Sequence, residues 1–592
     1  MGRGHVLKRT LPTTLLVVLA CAPAAAASPR AHSAAQQRAE ASLEQAEQLL
    51  NGRGVRTGRE ATEALRQLAT RIRHLRGDER EQAIALLSRP TDANAPVDER
   101  YTVPEVPPLC DANFCVHSVA SGVDAPGAGT AALALAEANA VRNFENGTLG
   151  WREPPDDGDG RVDIYLKELG AQRLFGFAAT DPQQAQQSQH SYLVIDNDFD
   201  PAQYGGADAL ESLRVTLAHE YAHVLQYGYD VLADAWHFES SAVWMEQRMY
   251  PEIKDWLRFL GDRSTGGGWG SLTELSLTYF EPNPGGPGAL DPRAAKVYGD
   301  VVWNQFLSSK YGQAGDALQR ATWERSNGFD YPSTDAFDKA IRAAGGAGIA
   351  EDFAEFSAAV AEWQVPASPF PTPADLPDVE RRGDLVAGGR AAELRMDHLS
   401  FALYDVPQTT GPIRLAASFP DGASGAVALV ARSGAIDGGE VTTELLELPD
   451  GGLGAATIRE PAPFYASGGR VTAVFVNADA SHGPFWDNAL GDWEWSRDDQ
   501  LVTARISADT RKPRASLRGF RLRSRDTDRL TFEASLRQDG RTIGRRRGGI
   551  RPGATRRLRI RGAHQGRARL VVRLADPSAN TKRLARTLQL GA

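Results

Sequence analysis

Between Leu217 and Leu225 the chain reads Leu217-Ala218-His219-Glu220-Tyr221-Ala222-His223-Val224-Leu225, and no other stretch restricts it as much. The apolar neighbours Leu213, Leu217 and Leu225 predict a helix here. Residues four apart on a helix share one face, so both imidazoles can reach a single metal ion. Zn2+ accepts imidazole nitrogen at about 2.0–2.1 Å in a tetrahedral site. Glu220 projects beside the pair and is placed to take a proton from a metal-bound water, whose pKa the metal lowers towards about 7. A catalytic zinc site uses a third protein ligand and keeps one position open. The metzincin arrangement needs Gly and then His at three-residue steps after the second His, and Gln226 and Tyr229 exclude it. Downstream, Asp234, His237 and Glu239 are the candidates for the third ligand.

Glu239 opens the run Glu239-Ser240-Ser241-Ala242-Val243-Trp244-Met245-Glu246, sixteen residues after His223. HExxH followed by an E-x-x-A-x-W-x-E helix resembles the gluzincins, and in particular little-characterised secreted bacterial metallopeptidases. The resemblance covers about residues 105–365, with Ser240 where the family usually has Gly. It implies an α+β zincin-like catalytic domain holding one catalytic Zn2+ on His219, His223 and Glu239. It also implies Glu220 as general base and Glu246 as a carboxylate orienting a ligand histidine. Gluzincins often stabilise the oxyanion with a Tyr or His, for which Tyr298, Tyr279 and His237 compete, Tyr298 first. An edge strand beside the HExxH helix holds substrate in such enzymes, and Ser191 to Ile195 is the candidate. The activity implied is peptide-bond hydrolysis of a protein or peptide substrate, as an endopeptidase, since no G-x-M-E-N exopeptidase motif occurs. The alternative is a cell-surface binding protein whose peptidase fold is auxiliary or inactive.

The pattern along the rest of the chain predicts a multidomain protein. Residues 1–27 read as an export signal, with Arg3, Lys8 and Arg9 before an apolar stretch and Ala25 to Ala27 at its end. Secretion or cell-surface attachment follows, without a transmembrane helix in the mature chain. Cys21, after Val18-Leu19-Ala20, also resembles a lipoprotein processing site. Residues 28–103 read as two helices divided at Gly52 and Gly54, either a pro-segment or a plain helical appendage. The catalytic domain spans 104–365. It holds strands near Phe114–Val119, Val162–Leu166 and Ser191–Ile195. Its helices are expected near Thr130–Asn146, Asp208–Tyr227, Phe238–Met249, Lys296–Lys310, Asp335–Ala344 and Glu351–Trp363. Five prolines between Pro366 and Asp378 predict a linker over 366–384. Short alternating strands predict a β-sandwich over 385–510. A small immunoglobulin-like β domain is expected over 511–592.

Charge is divided unevenly. Residues 511–592 hold 24 Lys and Arg against 5 Asp and Glu, a balance of +19, so the net charge of -9 leaves -28 on the remainder. This basic end suits an acidic cell-envelope polymer, and its few aromatics argue against nucleic acid. Asp157-Gly158-Asp159-Gly160 and Asp196-Asn197-Asp198 raise Ca2+ as a second ion, but neither completes a calcium loop and plain turns are the better reading. Cys110 and Cys115, in an exported chain, predict a small disulfide loop.

Overall fold

The computed structural model describes residues 33–590 apart from 56, 183–186, 262–267, 282–290, 327–331, 482–484, 488–491, 495–499, 510, 527 and 561–564. The export signal and Cys21 lie outside the described residues. The chain begins with a helical region of α1 (Ala34–Leu50), α2 (Glu60–Arg71) and α3 (Gly77–Leu86). There follow β1 (Leu109–Cys110), β2 (Phe114–His117), α4 (Thr130–Arg142), β3 (Val162–Lys167), β4 (Gly176–Ala179) and β5 (Tyr192–Asp196). Then come α5 (Ala209–Asp230), α6 (Ala235–Met249), α7 (Lys296–Gly299), α8 (Val301–Tyr311), α9 (Gln313–Arg325), α10 (Ser333–Ala343) and α11 (Ile349–Val360).

The five strands form one sheet in the order β1-β2-β3-β5-β4. β2, β3 and β5 run parallel, while β1 and β4 are antiparallel edges. Strand alternation splits the side chains between two cores. Ile164, Leu166, Leu193 and Ile195 face α4 and α5. Tyr165, Phe177, Tyr192 and Val194 face Leu43, Leu49, Leu65 and Leu68 of the N-terminal helices. Both faces are therefore covered, which is why these strands are buried throughout. The disulfide joins Cys110 and Cys115 across the β1–β2 hairpin.

Three differences from the sequence expectations have physical reasons. The strand Tyr192–Asp196 is interior, and the edge beside it is β4, whose Gly-Phe-Ala-Ala run is too short to show a period. Helix α9 lies where the sequence carries no helical period, since it is polar apart from a narrow buried stripe at Leu318, Thr322 and Trp323. Residues 366–384 are packed in place: Phe370, Leu376 and Val379 are buried, and Trp363 Nε1 donates to the Pro377 carbonyl at 2.8 Å.

The second half is β-structure. Its strands begin with β6 (Ala392–Met396), β7 (Ser400–Val406), β8 (Ile413–Phe419), β9 (Gly425–Arg432), β10 (Val441–Leu448) and β11 (Gly452–Ile458). They continue with β12 (Arg470–Asn477), β13 (Phe485–Asp487), β14 (Asp492–Glu494) and β15 (Gln500–Ser507). Sheets β10-β9-β12-β7 and β11-β8-β15-β6 enclose a core of Leu394, Leu415, Val427, Leu429 and Phe475. The outer face of the first, at Ala428, Val430, Val474 and Phe401, packs against the helical half in one continuous core. Glu362, just past α11, receives Nε–H bonds from Arg432 at 2.8 Å and from Arg470.

The chain ends with β16 (Ala515–Arg518), β17 (Arg521–Ser524), β18 (Leu530–Gln538), β19 (Arg541–Ile550), β20 (Thr555–Arg557), β21 (Gly566–Ala575) and β22 (Thr581–Leu590). Sheets β16-β17-β20 and β19-β18-β21-β22 share a core of Leu522, Phe532, Leu536, Leu570 and Val572. No described helix is long and apolar enough to cross a membrane.

Candidate metal centre

Helix α5 starts at Asp208, whose carboxylate accepts the Glu211 N–H, and runs without interruption beneath the sheet. That regularity puts His219 and His223 one above the other, their rings 4.6 Å apart and nearly perpendicular. His219 Nδ1 meets Glu246 Oε1 at 2.7 Å, and His223 Nδ1 meets Gln226 Oε1 at 2.7 Å. These acceptors fix Nδ1 as the protonated nitrogen of both rings. The two Nε2 lone pairs then face each other at 3.0 Å. Glu239 Oε2, from α6, lies 3.3 Å from one and 3.5 Å from the other.

Two lone pairs and a carboxylate turned towards one point repel unless a metal ion or a proton joins them, and, against burial, Glu239 does raise the proton affinity of His223. Neither Glu239 oxygen has a hydrogen-bond donor, although the residue is fully buried. Ligands at about 2.05 Å in a tetrahedral shell stand about 3.3 Å from one another, which is the spacing found. The three residues form a cluster able to hold a metal ion, and the donor set of two imidazoles and one carboxylate suits Zn2+.

Burial pushes Glu220 up to about 7, with His223 and Arg59 pulling against it. Burial also lowers His219 well below its usual range, and Arg59 adds to this, so its imidazole is neutral and able to ligate. For Glu239, burial opposes the charge, but His223 and His219 outweigh it and hold the carboxyl below its ordinary value. Glu246 is raised by burial to about 8, against the pull of Arg59.

The remaining candidates separate cleanly. Tyr298 is buried, with its ring 6.4 Å from that of His219 and stacked on Phe259 at 5.1 Å. Burial raises its hydroxyl far above the usual range, so it stays a donor. Tyr279 gives its hydroxyl to Glu281. Asp234 accepts the Ser333 N–H at 3.1 Å and is turned towards α10. His237 stacks on Trp323 at 4.3 Å, and its Nε2 lies 3.2 Å from Thr322 Oγ1. Asp156, Asp157 and Asp159 cluster on the surface, where Asp156 accepts the N–H groups of Gly158 and Gly160 and Asp157 pairs with Arg89. Asp196 accepts the N–H groups of Leu169, Gly170 and Phe199. Both acidic segments thus use carboxylate oxygens to accept the N–H groups of their own turns.

Two groups near the centre carry no local sequence signal. Thr62 donates to Glu220 Oε2 at 2.8 Å, and Arg59 Nη2 lies 3.4 Å from Glu246 Oε2. Both are on or beside α2, 158 and 187 residues from their partners in sequence, and only the fold brings them here. Gln226 was legible in principle, one helical turn beyond His223.

No family model matches the chain, and no curated protein does. Among solved structures it is similar to a glycoside hydrolase domain, Endo-D, from Streptococcus pneumoniae R6, at 12% identity over 34% of this chain and 32% of that one, TM-score 0.17. It is also similar to a Bacteroides uniformis beta-glucuronidase, at 12% identity over 32% and 26%, TM-score 0.12. A beta-galacturonidase from Eisenbergiella tayi gives 10% identity over 34% and 35%, TM-score 0.11. The chain thus spans about a third of these proteins' lengths or less. These neighbours are glycoside hydrolases and not peptidases, which corrects the expected assignment as a protease, metalloprotease or inactive peptidase fold. Likeness at this level does not transfer glycosidase activity either.

Proposed function

We propose that this chain is a metal-dependent hydrolase with a two-histidine, one-carboxylate centre, in which His219, His223 and Glu239 hold one Zn2+ and Glu220 is the general base. The observation that carries the reading is the pair of Nε2 lone pairs 3.0 Å apart with the Glu239 carboxylate against both. Bound there, the ion would acidify a water and polarise the bond to be cut. The protein's own work is positional. Glu246 and Gln226 hold the two rings in the Nδ1–H form, which leaves Nε2 free to ligate. Glu220, with its proton affinity raised by burial, takes the proton of the attacking water and returns it to the leaving atom. Tyr298, kept protonated by burial, is the nearby donor for developing negative charge.

The test is zinc content by mass spectrometry together with turnover of chromogenic ester, amide and glycoside substrates. Glu220→Gln should keep zinc at wild-type stoichiometry and lose about 10²–10⁴-fold in turnover. Absence of stoichiometric zinc from the wild type, or unchanged turnover in the variant, would refute the reading.

A further inference from the structure

His219, Glu220, His223 and Glu239 are each wholly inaccessible, yet a hydrolase must admit its substrate. The N-terminal helical region lies directly against the centre. Thr62, on α2, accepts the Ala178 N–H of edge strand β4 at 2.9 Å and donates to Glu220 at 2.8 Å. One hydroxyl therefore occupies both the free edge of the sheet and the catalytic carboxylate. One turn earlier, Arg59 reaches Glu246 and Asp255, and the Gly58 carbonyl accepts the Phe175 N–H at 3.0 Å. Thr57, whose N–H donates to Glu60, lies beside Tyr298. One turn later, Arg66 donates to the Val231 and Ala233 carbonyls and lies 4.2 Å over the Phe238 ring. The segment thus engages the base, the carboxylate behind His219 and the candidate oxyanion donor together.

We propose that α1–α3 is an inhibitory segment, that α2 is its plug, and that cleavage of the connection after α3 releases it. This rests on the hydrolase reading above. Spontaneous withdrawal is too costly, because the segment covers a whole face of the sheet with Leu43, Leu49, Leu65, Leu68 and Ile72. Cutting removes the covalent tether and with it the high effective concentration of the plug. The connection is suited to this, since Asp92, Ala93 and Asn94 are exposed, whereas Tyr101 is already fixed to the sheet by its hydroxyl on the His117 and Leu166 carbonyls.

The experiment places a site-specific protease sequence between Ala93 and Asn94 of the full chain, loaded with Co2+. Acetohydroxamate should shift the visible cobalt bands only after cleavage and removal of the segment, and turnover should rise at least tenfold. A second variant, Gly58→Val, needs no cleavage. Gly58 has φ +82°, and an added Cβ would lie 2.4 Å from the Phe175 ring, so the strap should lift and acetohydroxamate should bind the intact variant. Equal acetohydroxamate binding by the intact and the cleaved wild-type sequence overturns the plug. Cobalt access without turnover of any substrate leaves the plug standing and refutes the hydrolase instead. Failure to bind cobalt at all removes the centre and the plug with it.

Register on the sheet β19-β18-β21-β22 aligns Arg547, Glu533, Arg573 and Arg583 in one row, with Arg537 beside Arg569 in another. Period-2 alternation sends these side chains to the outer face, where all the arginines are exposed. The two rows stand four residues, about 13.6 Å, apart, and the row between them holds Arg545, Ser535, Val571 and Ala585. Arg547 pairs with Asp421 and stands 3.9 Å from Glu533 in its own row, while Arg537, Arg569, Arg573 and Arg583 are exposed. We infer that this face binds a linear anionic polysaccharide. No outward position of these rows is aromatic, so the stacking that single-stranded nucleic acid uses is lacking.

The test compares heparin, polygalacturonate and oligothymidylate binding to the full chain by calorimetry at 150 mM salt. The variant is Arg569→Glu with Arg573→Glu, both exposed. Wild type should bind the two glycans in preference to the DNA, and the variant should lose at least tenfold in glycan affinity. Unchanged glycan binding by the variant, or tighter binding of the DNA, overturns the inference.

Discussion

Replacing Glu246 by alanine should weaken zinc binding without touching a ligand. Glu246 Oε1 accepts the His219 Nδ1–H at 2.7 Å, and both side chains are at most 3% exposed, so no water takes over that role. With the acceptor gone, His219 loses its fixed tautomer and its ring orientation. Loss of such a partner costs about 10–100-fold in metal affinity, or about 1.4–2.7 kcal/mol. Glu246→Gln keeps an oxygen at that place and should lose less than about tenfold. A competitive titration against a chromophoric chelator at fixed pH measures both constants, and thermal unfolding of the apo proteins checks that each variant is folded. Histidine tautomers can be read from the long-range nitrogen–proton couplings of labelled protein. A folded Glu246→Ala variant with wild-type zinc affinity would refute the argument. So would a glutamine variant as weak as the alanine one, because charge and not orientation would then be the cause.

Three further outcomes follow from other parts of the structure. Reducing the Cys110–Cys115 bond, or Cys110→Ser, should cost about 2 kcal/mol through the loop entropy of a six-residue ring, read as a lower unfolding midpoint. Asp181 is opposed by burial, but His190 and Arg89 hold its carboxyl down at about 2. The stability it contributes is therefore present above its unfolded pKa of about 3.9 and is lost as pH falls towards 2. Arg89→Gln should flatten the pH dependence of the urea midpoint in that window by about 1–2 kcal/mol, the side chain being partly screened by solvent. Glu362→Ala strands Arg432, which is 8% exposed, between the helical half and the sandwich, and should destabilise by about 3 kcal/mol in denaturant titrations.

The donor geometry was legible in sequence because it is mostly local. His219, Glu220 and His223 share one helix, and helical periodicity alone aligns them. The acid that joins them, Glu239, comes from the next helix, so its recognition depended on the E-x-x-A-x-W-x-E resemblance. The β half was legible for a similar reason: two-residue alternation marks strands wherever one face is buried. By contrast, β4 is four residues long and α9 has only a narrow apolar stripe, so neither presented enough period to be seen.

Sequence by itself therefore determined the pair of imidazoles with its carboxylate neighbour, the helical start, the β-rich second half and the division of charge along the chain. All of these are written in spacing and composition within short windows. Tertiary structure alone decided that β4 is the sheet edge, that residues 366–384 are packed, and that Thr62 and Arg59 lie on Glu220 and Glu246. Those facts depend on contacts between residues far apart in the chain, and no local pattern encodes which buried surface will meet which.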